Sequence, residues 1–152
     1  MAKQNDFITG WYNHRKVLLA LLDTVRDEHL QYKPWEKAMS LSGLVLHING
    51  AMSMFANTVK NGEFTPPAAP KPFESIEELK AIVHADTEAT KAVLEGLSDE
   101  QLEGIVEFKG LKMPGIALLE NGKDHEIHHK GQLFTYLRLL GIEELPFFVS
   151  RS

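Results

Sequence analysis

Apolar residues recur at helical spacing over four long segments, and this periodicity sets the expected architecture before any single residue does. In the first segment, from about Asp6 to Asp27, the residues Phe7, Trp11, Leu18, Leu21, Leu22 and Val25 draw one stripe. In the second, about Ser40 to Asn61, Leu44, Ile48, Ala51 and Phe55 share a face, and Ser40 stands where an N-cap hydroxyl accepts from first-turn amides. The third opens at Ser75 in "SIEELK", where Glu78 completes the lettering of a capping box. Its stripe is Leu79, Ile82, Val83, Val93 and Leu94, and it ends near Leu97. The fourth begins near Met113 or Pro114, since proline suits a first helical turn, and stops at Gly141, a residue type that closes helices in the left-handed conformation.

The connections "QYKPWEKAM", "NGEFTPPAAPKPFE" and "SDEQLEGIVEFKGLKM" carry the prolines and glycines of loops. "GIVEFKG" has the composition of a short extended stretch, but not enough alternation to predict a sheet. The expected fold is therefore all-α: one domain over residues 1–152, a four-helix bundle about 30 Å long. Its long loops free the helices from packing in sequence order.

Composition narrows the function classes. A chain of 152 residues with 43% hydrophobic and 24% charged residues belongs to the soluble globular class and can bury a core without staples. The formal charge of -5 provides no cationic face for gripping nucleic acid. The start, "MAKQNDFITG", lacks the apolar stretch of a secretory signal, and the longest apolar run, "VLLALL", is far short of the ~20 residues that span a bilayer. A cytoplasmic location away from membranes is expected. The absence of cysteine excludes disulfides, a Cys nucleophile and Cys-ligated metal, so any thiol chemistry must use a thiol brought by a substrate.

Chemistry concentrates in "DHEIHHKGQ", Asp124 to Gln132, which holds three of the seven histidines. At about 100° per helical residue, His125 and His129 lie ~40° apart and can reach one ion, whereas His128 points ~60° to the other side. Asn121, Gln132 and Tyr136 extend the same polar row beside Leu133, Leu137 and Leu140. Burying such a row is costly unless it is partnered. The candidate partner is His47 in "LSGLVLHINGAMSMF", where Gly43 and Gly50 on either side read as space left for an imidazole. Three neutral imidazoles from two helices would hold a divalent ion and leave coordination positions open. The competing readings are that His47 is a hydrogen-bonded core residue and that the His-x3-His pair lies on a solvated face. His14, in line with Leu18 and Leu21, is expected to face substrate rather than ligate, and His84 to be solvated. Asp124 and Glu126 read as surface or capping charges, or as groups that orient a ligand imidazole from behind. "HEIHH" also spells the His-Glu-x-x-His of metalloproteases, but Glu126 is ~100° round from His125 and the match is short.

The mid-chain histidine of "MSLSGLVLHI" followed by "HEIHHKGQLFTYLRLLG" near the C-terminus resembles the DinB/YfiT-like family of small bacterial metalloproteins. "WYNHRKVLLALLD" and "KPWEKAMS" are similar to that family's first helix and to its segment ahead of the first ligand. The resemblance covers essentially the whole chain. It implies a four-helix bundle with a divalent metal on three histidines, matching His47, His125 and His129, and it makes His128 a bystander. Many members carry Arg where this chain has Lys130, so a bidentate carboxylate contact there is not carried over. Some relatives are thiol-dependent transferases that use low-molecular-weight bacterial thiols. The expected function is accordingly a metal-dependent S-transferase acting on a small electrophile. A metal-dependent hydrolase and a non-catalytic metal or small-ligand binding protein are the alternatives. Zn or Ni suits three imidazoles best, with Fe or Mn next. His14, Gln132 and Tyr136 are the substrate-facing candidates, and no residue is assigned a catalytic role beyond ligation. The tail "IEELPFFVS" either covers a neighbouring subunit in a homodimer or folds back on its own bundle.

Overall fold

The computed structural model describes residues 2–152. Helix α1 spans Ala2–Leu22, α2 Leu41–Asn61, α3 Ile76–Glu95 and α5 Gly115–Leu139, with a short α4 at Asp99–Glu103 and a single 3-10 turn at Asp27–His29. The polar punctuation works as its chemistry requires. Ser40 Oγ accepts from the Gly43 amide at 3.0 Å and Ser75 Oγ from the Glu78 amide at 3.1 Å. The Glu78 carboxylate reaches back one residue further than a capping box needs, accepting from the Glu74 amide at 2.6 Å. Gly62 and Gly141, at φ 75° and 88°, follow α2 and α5 in the left-handed region.

Three features differ from expectation, the first being α4 itself, a five-residue helix in a segment that reads as loop. Helix α1 ends at Leu22, and Val25 reaches the core from the turn beyond it. The segment "GIVEFKGLKM" forms a sheet after all: β1 (Ile105–Phe108) pairs antiparallel with β2 (Leu111–Pro114). The two-residue turn Lys109–Gly110 has φ of 51° and 86°, the doubly left-handed geometry that matches the twist of paired strands. Strands of four residues are too short for alternation to stand out, and Lys-Gly is a weaker turn signal than Asn-Gly.

Helices α1 and α2 each pack chiefly on α3 and α5, so the ring order is α1–α3–α2–α5 and not the sequence order. One apolar cluster joins the end of α1 (Leu18, Leu21) to the starts of α2 and α3 (Leu44, Leu79) and the end of α5 (Leu133, Leu137). The other joins Phe7 and Trp11 to Phe55, Leu94 and Leu118 at the opposite ends. Helices α2 and α3 therefore run parallel, and residues 62–75 must travel the length of the bundle, which ~3.3 Å per extended residue allows. Gln4 on α1 closes the far end of α3, donating to the carbonyls of Leu94, Glu95 and Leu97 at 2.6, 2.7 and 2.9 Å.

Between the two clusters lies a polar layer to which every long helix contributes, α1 with two side chains. Arg15 Nε and Nη2 fork onto the Glu126 carboxylate at 2.8 and 2.7 Å. Arg15 Nη1 donates to Asn49 Oδ1 at 3.1 Å and Thr87 Oγ1 at 2.9 Å, and Trp11 Nε1 donates to Glu126 Oε1 at 3.0 Å. Arg15 is 0% and Glu126 1% exposed, so Glu126 is no surface charge. The ~100° that separates it from His125 turns it inward, where Arg15 compensates it.

The C-terminal tail folds back on its own bundle. Val149 is buried, the Ser150 amide donates to Asn13 O at 3.0 Å, and Lys16 Nζ donates to Ser152 O at 2.7 Å. Among the described residues, no helix is long and apolar enough to cross a membrane.

Candidate metal centre

His47, His125 and His129 meet at the seam between α2 and α5. Each offers a ring nitrogen, and the three nitrogens lie within 4.8 Å of one another. The Nε2 atoms of His47 and His125 are 3.2 Å apart. His47 is exposed, just off the apolar stripe of α2, and is not a core histidine; the other two are half-buried. Close approach of α2 and α5 depends on Gly122, one turn before His125, because a Cβ there would lie 2.8 Å from the Phe55 ring. Gly43 and Gly50 do not clear space for the imidazole, contrary to the sequence reading. A Cβ on Gly43 would meet the capping hydroxyl of Ser40, and one on Gly50 would meet nothing within 4 Å.

Burial favours the neutral form of two of the rings. Burial, followed by the neighbouring His129 and His47, lowers the His125 pKa from 6.5 to about 4. His47 is lowered by burial and by His129. The His129 Nδ1–H donates to Gln132 Oε1 at 2.8 Å, which fixes the tautomer that leaves its Nε2 lone pair free for a ligand. His125 Nδ1 is buried without a hydrogen-bond partner, so packing against Phe55, whose ring centre is 6.2 Å away, holds this ring. The donor set fits a divalent cation: tetrahedral ligands at ~2.1 Å stand about 3.4 Å from each other, close to the His47–His125 spacing. The uncommitted lone pairs of neutral imidazoles are what such an ion takes.

The other sequence candidates separate. Gln132 is exposed and holds His129. Tyr136 is buried, and its hydroxyl donates to Met39 O at 3.0 Å, tying α5 to the α1–α2 connection. Burial raises its pKa, with the nearby Tyr32 adding to the effect. His14 lies at the α1–α5 seam, away from the triad at the α2–α5 seam. Its Nδ1 accepts from Lys130 Nζ at 2.9 Å and its ring faces Phe148, while burial and then Lys130 lower its pKa to about 4. Asn121 donates to the Met113 sulfur; His84 and His128 are exposed.

Sequence reasoning missed the buried charges Arg15 and Lys130. Lys130 is 1% exposed and makes no carboxylate contact. Besides His14 it donates to Phe148 O at 2.5 Å and so pins the tail, and burial lowers its pKa to about 8. The signal was phase: Trp11–Arg15–Leu18–Leu22 and Glu126–Lys130–Leu133–Leu137 are continuous core stripes with charges inside them.

Beside His129 and Gln132 opens a groove of about 370 Å³, walled on one side by α5 and on the other by Trp35, Lys37 and Met39 of the α1–α2 connection.

A four-helix bundle carrying an imidazole triad on the seam of two antiparallel helices, next to an open groove, defines a small helical protein with a candidate metal centre. The chain belongs to the DinB family, whose sequence model matches residues 1–151. It is 38% identical over 154 aligned residues to the uncharacterized protein YjoA of Bacillus subtilis, with 99% of each chain covered. The crystal structure of that DinB-like protein superposes with a TM-score of 0.86 at 37% identity, over 97% of this chain and 99% of the other. A DinB-like protein from Bacillus cereus, 23% identical, shares the fold with a TM-score of 0.79 over 93% of this chain and 94% of its own.

Proposed function

We propose that His47, His125 and His129 hold a divalent cation, zinc or nickel by preference, and that the protein uses it to ionise a small thiol for attack on an electrophile. The observation that carries this reading is the state of Glu126. Both its oxygens are committed to Arg15 and Trp11 inside the bundle, so the carboxylate that the His-Glu-x-x-His lettering offers as a general base cannot serve a water at the triad. That removes the carboxylate base on which the hydrolytic reading would lean and leaves ionisation of the nucleophile to the ion. When bound, a divalent ion supplies the Lewis acidity that makes a thiolate accessible at neutral pH from a thiol with a free pKa of about 8.5.

The protein's own residues do the rest. The neutral rings of His47 and His125 leave lone pairs for ligation, and Gln132 holds His129 in the ligating tautomer. The groove admits a second substrate beside His129. In the reaction the thiol proton leaves to solvent, sulfur forms a bond to the electrophilic carbon, and the leaving group departs with its bonding pair. The chain has no cysteine to compete with the incoming thiol.

The test begins with elemental analysis of protein purified without an affinity tag. It continues with metal-loaded protein, a panel of low-molecular-weight bacterial thiols and 1-chloro-2,4-dinitrobenzene. One metal per chain and a rate above the metal-free control are expected, both lost in His125→Ala. Metal bound with no rate for any thiol would leave a binding protein in place of an enzyme.

A further inference from the structure

The groove beside the triad has a sign and a shape. Its side chains include one cation, Lys37, and no carboxylate, in a protein whose net charge is -5. Among the described residues Lys37 makes no ion pair, although the chain's other charges supply six such pairs. The other hydrogen-bonding groups of the wall are mostly spoken for. Tyr136 donates to Met39 O, and Thr135 donates to Gly131 O. Gln132 spends its amide oxygen on His129, so what it still presents is its NH2, which has no partner among the described residues. With His129 Nε2 reserved for the ion, the unspent side-chain donors are therefore two, one of them a solvent-facing cation at the rim of the groove.

The rest of the wall is apolar and flat. Trp35 is 63%, Leu139 59% and Met39 40% exposed, large apolar surface that a folded chain normally covers and that here converges on one groove. An exposed indole beside a cation matches a planar ligand that carries an anionic group. The wall is also fixed in place: the Tyr136–Met39 bond ties the α1–α2 connection to α5, and the Leu41 amide on Tyr32 O ties it to the start of α2.

We infer that this groove selects the second substrate of the triad, a flat aromatic molecule bearing a carboxylate or similar anion, with its ring against Trp35 and its anionic oxygens on Lys37 and the Gln132 amide. That this molecule is the electrophile rests on the thiol-transfer reading above; the groove's preference for it does not. Lys37 and Trp35 are specificity-determining residues.

Of the two tryptophans, Trp11 is fully buried, so quenching by a nitroaromatic in the groove reports Trp35. The unreactive probes are 3,5-dinitrobenzoate and its neutral counterpart 1,3-dinitrobenzene, titrated against metal-loaded and chelator-treated protein. Saturable quenching that favours the anion by about fivefold, the upper range for a solvent-facing ion pair, is expected. The preference should shrink with added salt, vanish in Lys37→Gln and reverse in Lys37→Glu, while the saturable signal disappears in Trp35→Phe. Equal binding of the two probes, an anion preference that survives Lys37→Gln, or a signal that survives Trp35→Phe would each overturn the assignment. No turnover with any thiol alongside an intact anion preference sinks the thiol chemistry and leaves the groove standing. Turnover without that preference does the reverse.

Discussion

The guanidinium of Arg15 lies edge-on against the carboxylate of Glu126, and the next residue along the chain from that carboxylate, on the N-terminal side, is His125. The pair sets the rotation of α5 about its axis. With Glu126 turned into the bundle, His125 and His129 must face the seam with α2.

Glu126→Gln should therefore destabilise the metal-free protein by about 3–5 kcal/mol, because it leaves a buried guanidinium without its counter-charge. Urea unfolding of the chelator-treated variant measures this. A change below about 1 kcal/mol would mean that the layer is hydrated and that the pair does not set the rotation of α5.

Gln132→Ala should behave in the opposite way. The side chain is exposed, so stability should change by no more than about 0.5 kcal/mol. Metal affinity should fall about 10- to 100-fold, since His129 loses the acceptor that fixes its tautomer. Competition against a chromogenic chelator reads the affinity, and Gln132→Glu, which keeps an acceptor there, should recover most of it.

Two glycine substitutions make a matched pair. Gly122→Ala places a methyl 2.8 Å from the Phe55 ring where α5 packs on α2, and overpacking of this kind costs about 1–3 kcal/mol. Gly50→Ala meets nothing and should stabilise by about 0.5–1 kcal/mol through helix propensity. Thermal melts of both proteins decide; equal shifts would contradict the packing.

Acid should weaken the metal-free fold through its depressed histidines. His14 and His125 titrate at about 4 in the folded protein and near 6.5 when unfolded. Between those values the unfolded chain binds more protons, so the histidines' contribution to stability is complete above pH 6.5 and is lost as pH drops towards 4. His14→Asn keeps an acceptor near Lys130 but cannot titrate, so the dependence should flatten by roughly one proton. An unchanged slope would place the effect elsewhere.

Much of this fold was legible because its signals are local. Ser40 and Ser75 stop their own helices from fraying, and stripes such as Leu44–Ile48–Ala51–Phe55 need no partner to be recognised. The hairpin was hidden by strands too short to show a period. His125 and His129 share a face by arithmetic, but the inward turn of Glu126 depends on Arg15, 111 positions away, and no local rule couples the two. The contacts of His14 with Lys130 and Phe148 were illegible for a related reason: helix phase places a residue on a face, while the ring order of the bundle decides which seam that face joins.

The separation of His47 from His125 by 78 residues has a consequence for biosynthesis. During synthesis His47 emerges long before its partners, and the site cannot close until α5 has left the ribosome and docked antiparallel to α2. A truncated or half-folded chain offers at most one or two of the three rings, too few to retain an ion against cellular competitors. Metal occupancy would then report that the chain is finished and folded.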